Sequence, residues 1–73
     1  MKVDDIKNLT DLFKYAEGKT EVSIRLGRKA FRAVMTQFKS LTGFYGIDTS
    51  DWTKFGKKYN GIKYEIELDK HKD

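Results

Sequence analysis

The sequence predicts a small α+β domain of 73 residues, in which two helices pack on one face of a three-stranded sheet. Two segments carry apolar residues at helical spacing, and two others alternate apolar and polar residues as half-buried strands do. An Asn-Gly pair precedes the last strand and is the strongest short signal for a hairpin. The predicted order along the chain is α-β-α-β-β. The helices are placed on the sheet because two amphipathic helices need an apolar sheet face to cover.

The first helix is predicted over residues 4–17, where apolar side chains recur on one helical face. Asp4, Asp5 and Asn8 can each accept a hydrogen bond from the first turn, so any of the three can cap its start. Gly18 marks the end, because glycine readily adopts the left-handed conformation that is common after helices.

The middle of the chain is predicted to form a strand followed by the longest helix. Residues 21–26 alternate apolar and polar side chains up to Gly27, as a half-buried strand does. Residues 28–41 have the clearest helical pattern, and Gly43 caps their end. The apolar face of this helix is predicted to consist of Phe31, Val34, Met35, Phe38 and Leu41.

The last two strands are predicted to form a hairpin after a loop over residues 44–51. Asn60 and Gly61 suit a two-residue turn, and residues 62–68 alternate as a strand does. A helix over residues 50–59 is the alternative, because aromatic residues there also fit helical spacing. We prefer the hairpin because it places opposite charges across its strands. The pairs that it predicts are Tyr59 with Ile62, Phe55 with Ile66, and Lys54 with Glu67.

The helices are expected to leave the other face of the sheet uncovered and polar. Alternation along the strands assigns their charged and hydroxyl side chains to that face. These side chains are Ser23, Arg25, Lys63, Glu65 and Glu67.

Size and composition restrict how such a domain is stabilised. Residues 1–73 make one domain, and the charged stretch 69–73 is expected to fray. The chain has no cysteine and one histidine, His71, which excludes disulfides and metal sites built from thiolates or clustered histidines. We therefore expect no metal and no cofactor. Aromatic residues make up 14% of the chain and supply buried area, and self-association as a homodimer is a further expected support.

Hydropathy and cysteine usage bear on location. No apolar run reaches the length of a signal peptide core or of a membrane span, so no membrane contact is expected. The lack of cysteine fits a reducing compartment, and a cytoplasmic location is the default expectation.

The net charge of +4 comes from one basic stretch, residues 20–46, since cations and acids balance on either side of it. Cations at the start of a helix oppose its dipole, so this charge pattern favours an anion bound there. Nucleic acid is the favoured partner, held mainly through its phosphates. The residues expected to bind it are Arg25, Arg28, Lys29, Arg32 and Lys39.

The same cations also have a purely structural interpretation. Arg25 can pair with Glu65 or Glu67 across the sheet, and Arg28 can reach an acid of the first helix. Surface ion pairs of this kind are common and contribute little to stability. The alternative partner is therefore a protein.

A protein partner would be contacted through aromatic residues. In a domain this small most large aromatics belong to the core, although aromatics beside lysines can also stack on single-stranded nucleic acid. Tyr45 and Trp52 lie in or beside the long loop and are the expected exceptions. Exposed aromatics of this kind commonly form the centre of protein interfaces.

Catalysis is not expected. The sequence has no cysteine nucleophile, no serine elbow motif and no glycine-rich phosphate loop. Glu65 and Glu67 share a strand face, but alternation on an exposed strand accounts for them. The predicted function is a small non-enzymatic binding module, favoured as a nucleic-acid-binding accessory protein, with a protein-interaction or inhibitor module as the alternative. The small size of the chain and its lack of motifs would suit an accessory protein of a phage or mobile element.

Residues 21–43, a strand followed by a helix, resemble the first half of a ribbon-helix-helix repressor. The resemblance implies a DNA-binding dimer in which this strand pairs with its twin, and Ser23 and Arg25 face the major groove. Two features depart from that family. Gly46 and Gly56 interrupt the region of its second helix, and the strand at 62–68 has no counterpart in it.

Overall fold

The computed structural model describes residues 1–43, 48–49 and 51–72 of the chain. The two α-helices and three strands follow the predicted order, and a 3₁₀ turn, Val3–Asp5, precedes them. The elements are α1 (Leu9–Ala16), β1 (Glu21–Leu26), α2 (Arg28–Thr42), β2 (Lys54–Tyr59) and β3 (Ile62–Leu68). The predicted α+β class and element order are therefore confirmed.

The first helix begins later than predicted, at Leu9 instead of residue 4. Of the three candidate caps, Asn8 caps α1, because its side-chain oxygen accepts a hydrogen bond from the Asp11 N–H at 3.0 Å. Asp5 instead accepts from the Lys2 N–H at 3.0 Å and closes the separate 3₁₀ turn. The chain is extended at Ile6 between the two turns, and this side chain is buried in the core.

The second helix has the predicted start and ends one residue later than predicted. Gly43 is left-handed, with φ 80°, and its N–H donates to the Lys39 carbonyl oxygen, which closes the last turn. Four of the five predicted apolar positions are buried, but Leu41 is 47% exposed. Leu41 lies at the flank of the apolar stripe in the last turn, so helical spacing alone placed it wrongly on the core face.

The hairpin prediction is confirmed pair by pair. Tyr59 lies opposite Ile62, Phe55 opposite Ile66, and Lys54 opposite Glu67. Asn60 and Gly61 both have positive φ, 51° and 78°, as a type I′ turn requires. The alternative helix is therefore wrong for the part that forms β2.

The strand order in the sheet is β1-β3-β2, with β1 parallel and β2 antiparallel to β3. β3 comes last in sequence but lies in the middle of the sheet. The three-stranded sheet is therefore complete only when the hairpin pairs with β1. The strand that resembles a ribbon-helix-helix strand thus pairs with β3 of its own chain, and a hairpin replaces that family's second helix. The described residues do not form the ribbon-helix-helix arrangement.

The core lies between the helices and one face of the sheet. Tyr64 and Ile66 of β3 and Val22 of β1 are each at most 2% exposed there. The opposite face is polar and exposed, as predicted, and carries two ion pairs. Arg25 lies 3.4 Å from Glu67, and Lys63 lies 3.3 Å from Glu65.

Aromatic side chains form much of the core, and they pack around Phe38 of α2. The Phe38 ring contacts four others edge to face, at centroid distances between 5.5 and 6.2 Å. These rings belong to Phe13, Phe55, Tyr59 and Tyr64. Burial, with a smaller contribution from Tyr59, raises the pKa of Tyr64. The aromatics of the hairpin thus serve the core, in agreement with the structural interpretation of them.

Replacing Phe38 with alanine should lower the free energy of unfolding by about 3–5 kcal/mol, because the change removes a buried ring and leaves a cavity. Leu41→Ala is the matched control on the same helix and should change it by less than about 0.5 kcal/mol, since that side chain is exposed. Urea unfolding measured by circular dichroism gives both values. Equal losses in the two variants would contradict this account of the core.

Candidate functional site

The predicted basic site is divided between two surfaces. Arg25 is on the open sheet face, where it is paired with Glu67, and its side chain remains 69% exposed. Lys39, on α2, is half-buried beside the hairpin. The strand-to-helix junction therefore does not bring all five predicted cations together.

Arg32 has a structural contact that the sequence did not predict. Its side chain is half-buried, and Nη1 donates a hydrogen bond to the Thr49 carbonyl oxygen at 3.2 Å. The same oxygen accepts from the Trp52 N–H at 3.1 Å, which forms a turn before β2. Arg32 thus ties this turn to α2, and no periodicity in the sequence signals a contact across 17 positions.

Arg28 and Lys29 are exposed in the first turn of α2. The backbone N–H of Arg28 donates to the Lys72 carbonyl oxygen at 3.1 Å, so the end of the chain contacts the start of this helix. Further hydrogen bonds hold that end: the Asp69 N–H donates to Leu26, and Lys72 Nζ lies 3.2 Å from Asp4. The segment that was expected to fray is thus hydrogen-bonded through residue 72.

An apolar groove runs between the C-terminal half of α2 and β2. Its volume is about 320 Å³. The side chains of Met35 and Phe38 from α2 and Phe55 from β2 form its apolar part. Lys39 and Lys57 also line it, and none of its described lining residues is an acid. The described residues that line it are Met35, Phe38, Lys39, Thr42, Thr49, Trp52, Phe55, Gly56 and Lys57.

Trp52 lines this groove and is 41% exposed. It is the one tryptophan of the chain, and the expectation that it escapes the core is met. Tyr45, the other predicted interaction residue, lies outside the described residues. The groove itself was missed by sequence reasoning, because the residues that form it come from three separate parts of the chain.

The described parts of the chain contain neither a metal-binding cluster nor a membrane-spanning helix. No group of three histidine, aspartate or glutamate side chains there could hold a metal ion. No described helix has the length and apolar character needed to cross a membrane. Comparison with protein-family models, curated proteins and solved structures finds no match to this chain.

Arg32 and Arg28, four residues apart on α2, should differ in their effect on stability. Arg32→Ala removes a part-buried hydrogen bond from a charged donor and should lower the free energy of unfolding by about 1 kcal/mol. Arg28→Ala, at an exposed position, should change it by less than about 0.5 kcal/mol. Thermal unfolding of the two variants side by side tests this, and an equal effect would show that the Thr49 contact contributes nothing.

Proposed function

We propose that this domain is a non-enzymatic protein-binding module, and that the groove between α2 and β2 binds an apolar side chain of a partner protein. The observation that carries the proposal is the exposed Trp52 in the lining of an apolar groove. Tryptophan is among the residues most enriched at the energetic centre of protein interfaces. An exposed aromatic beside a concave apolar surface is the arrangement that such centres use.

The lining of the groove supports a side chain as its occupant. Met35 and Phe38 are almost fully buried and form the base of the groove. Half-buried Phe55 and exposed Trp52 offer accessible apolar area, whose burial is favourable by about 25 cal/mol per Å². Methionine adapts to ligands of different shape because its side chain is unbranched and polarisable. The groove is therefore suited to leucine, methionine or an aromatic residue of the partner.

The charges around the groove support an acidic partner segment. Lys54 and Lys58 are exposed on β2, the strand that borders the groove. Their positive potential would attract carboxylates that flank the apolar side chain and raise the rate of encounter.

Selection from a displayed library of random twelve-residue peptides tests the proposal. We expect the selected peptides to share a bulky apolar residue flanked by aspartate or glutamate. Trp52 emission reports binding directly, because no other tryptophan contributes. Trp52→Ala, followed with labelled peptide, should weaken binding by at least about tenfold, as loss of a central interface residue does.

Leu41→Ala is the matched control, since Leu41 is also a large exposed apolar residue but does not line the groove. It should leave the affinity unchanged. Failure to select any peptide, or equal binding to wild type and Trp52→Ala, would contradict the proposal.

Nucleic-acid binding is the second candidate, and one observation favours it. Arg28 and Lys29 are both exposed at the start of α2, directly after the strand that carries the exposed Arg25. These three side chains are the part of the predicted basic site that remains open to a phosphate backbone. Binding there would be driven by release of counterions and would be weakly sequence-specific.

Fluorescence anisotropy of labelled duplex and single-stranded DNA at about 50 and 200 mM salt tests this candidate. Three phosphate contacts predict a loss of affinity on the order of tenfold to a hundredfold over that range. The double variant Arg28→Ala with Lys29→Ala should abolish binding. The control variant Lys2→Ala with Lys14→Ala removes the same number of positive charges and should leave binding unchanged. Absence of binding at micromolar protein would rule the candidate out.

A further inference from the structure

The outer edge of β2 lies next to the groove. β2 is an edge strand, since the sheet order is β1-β3-β2 and its register is with β3. The residues of β2 alternate between exposed and half-buried along its whole length. An edge strand presents a row of backbone donors and acceptors that another extended chain can pair with.

The register shows which backbone groups of β2 face outward. Residues that flank a two-residue hairpin turn exchange hydrogen bonds with each other. Along the strands, such hydrogen-bonded pairs then alternate with pairs that are not hydrogen-bonded. Tyr59, Lys57 and Phe55 therefore direct their backbone groups toward β3. The contacts of β3 agree, because the Leu68 N–H donates to Thr53 on the β2 side and the Lys63 N–H donates to Thr20 on the β1 side. The outward backbone groups of β2 are those of Lys54, Gly56 and Lys58.

Charge decides what kind of strand can pair there. The segment Lys54–Tyr59 contains three lysines and no acid. A second copy of this chain pairing through the same edge would bring these lysines together, and like charges opposite each other are destabilising. An acidic strand would instead place carboxylates beside the exposed ammonium groups of Lys54 and Lys58.

The two faces of the sheet decide where the side chains of such a strand point. Phe55 and Lys57 lie on the core side of β2 and line the groove, whereas Lys54 and Lys58 lie on the open face. Alternate side chains of an added strand project to opposite faces. Apolar side chains would enter the groove, and the intervening acidic side chains would lie beside Lys54 and Lys58. Gly56, between those lysines, has no side chain to obstruct the approach.

We propose that the partner segment binds as an added β-strand along the outer edge of β2, with alternating apolar and acidic residues. This inference rests on the proposed function, because it states how the groove is reached. The backbone of the segment would bond to Lys54, Gly56 and Lys58, whose backbone groups face outward, and the groove would select the apolar side chains. Backbone pairing gives affinity in this mode of recognition, and the alternate pockets give specificity.

The test uses the full chain and a blocked eight-residue peptide of alternating leucine and glutamate. We expect the peptide to shift Trp52 emission and to slow hydrogen exchange at the Gly56 and Lys58 amides by at least about tenfold, because a new ladder bond protects each of them. Two further peptides are N-methylated at alternate residues, one along each edge. The peptide methylated along the edge that pairs with β2 should bind at least about tenfold more weakly than the unmodified peptide, since its donors to β2 are lost. The Lys57 amide is the internal control, because it already faces β3.

A charge reversal provides a second, independent readout. Lys58→Glu should weaken binding of the leucine–glutamate peptide and strengthen that of a leucine–lysine peptide, each by about two- to fivefold, as expected for one cross-strand pair. The variant should keep its fold, because residue 58 lies opposite Lys63 and the new pair is attractive. Lys7→Glu is the control of equal charge change, at an exposed position near the β1 end of the domain, and should alter neither affinity.

The outcomes separate this inference from the proposed function. If library-selected peptides bind in a manner that depends on Trp52 but protect no β2 amide and tolerate N-methylation, the groove binds a partner and strand addition is wrong. If the leucine–glutamate peptide does not bind at millimolar concentration, strand addition is likewise wrong. If no peptide of any kind depends on Trp52, the proposed function itself fails.

Discussion

The position of β3 between the other two strands is the constraint on which the rest of the structure depends. β3 pairs in parallel with β1 and antiparallel with β2, so it joins the first half of the chain to the second. Its inward side chains Tyr64 and Ile66 are each 1% exposed and form the floor on which the helices pack. Without the pairing of β3 with β1, the hairpin would lie outside the three-stranded sheet, and a two-stranded hairpin alone is marginally stable in water.

A domain of this size without disulfides has few other means of support, and its aromatic residues supply them. A chain of about this length buries only about 60% of its unfolded surface, so each large side chain contributes a sizeable share of the core. Phe38 connects α2 to α1 and to both strands of the hairpin through ring contacts. Most of the aromatic residues considered for an exposed stacking platform are thus required inside, and among the described residues Trp52 is the large aromatic that stays at the surface.

The basic residues show how one sequence feature can serve several purposes in the folded chain. Arg25 takes part in a cross-strand ion pair, which is exposed and so contributes little to stability. Arg32 holds the turn at Thr49 against α2, where it helps to shape the groove beside Trp52. Arg28 and Lys29 remain at the surface. Net charge alone therefore does not define a binding surface, because the cations that remain available depend on which ones the fold has already engaged.

The sequence by itself determined the secondary structure and its faces. Alternation placed β1 and β3 to the residue, and Asn60 with Gly61 set the register of the hairpin, because few dipeptides adopt two successive left-handed conformations. The start of α1 was less well predicted, since three caps compete locally and the choice of Asn8 depends on how Ile6 reaches the core. The exposure of Leu41 was missed for a similar reason: periodicity assigns a face, but neighbouring elements decide how much of it is covered.

The candidate site was decided by tertiary structure. Trp52 was identified from the sequence as an exposed aromatic, yet the groove beside it is assembled from α2, from the turn at Thr49 and from β2. The contact between Arg32 and Thr49 and the outward edge of β2 likewise arise only when distant segments meet. Local propensities act over a few residues, whereas a binding surface depends on long-range packing, and that is the physical reason why the fold could be read from the sequence and the site could not.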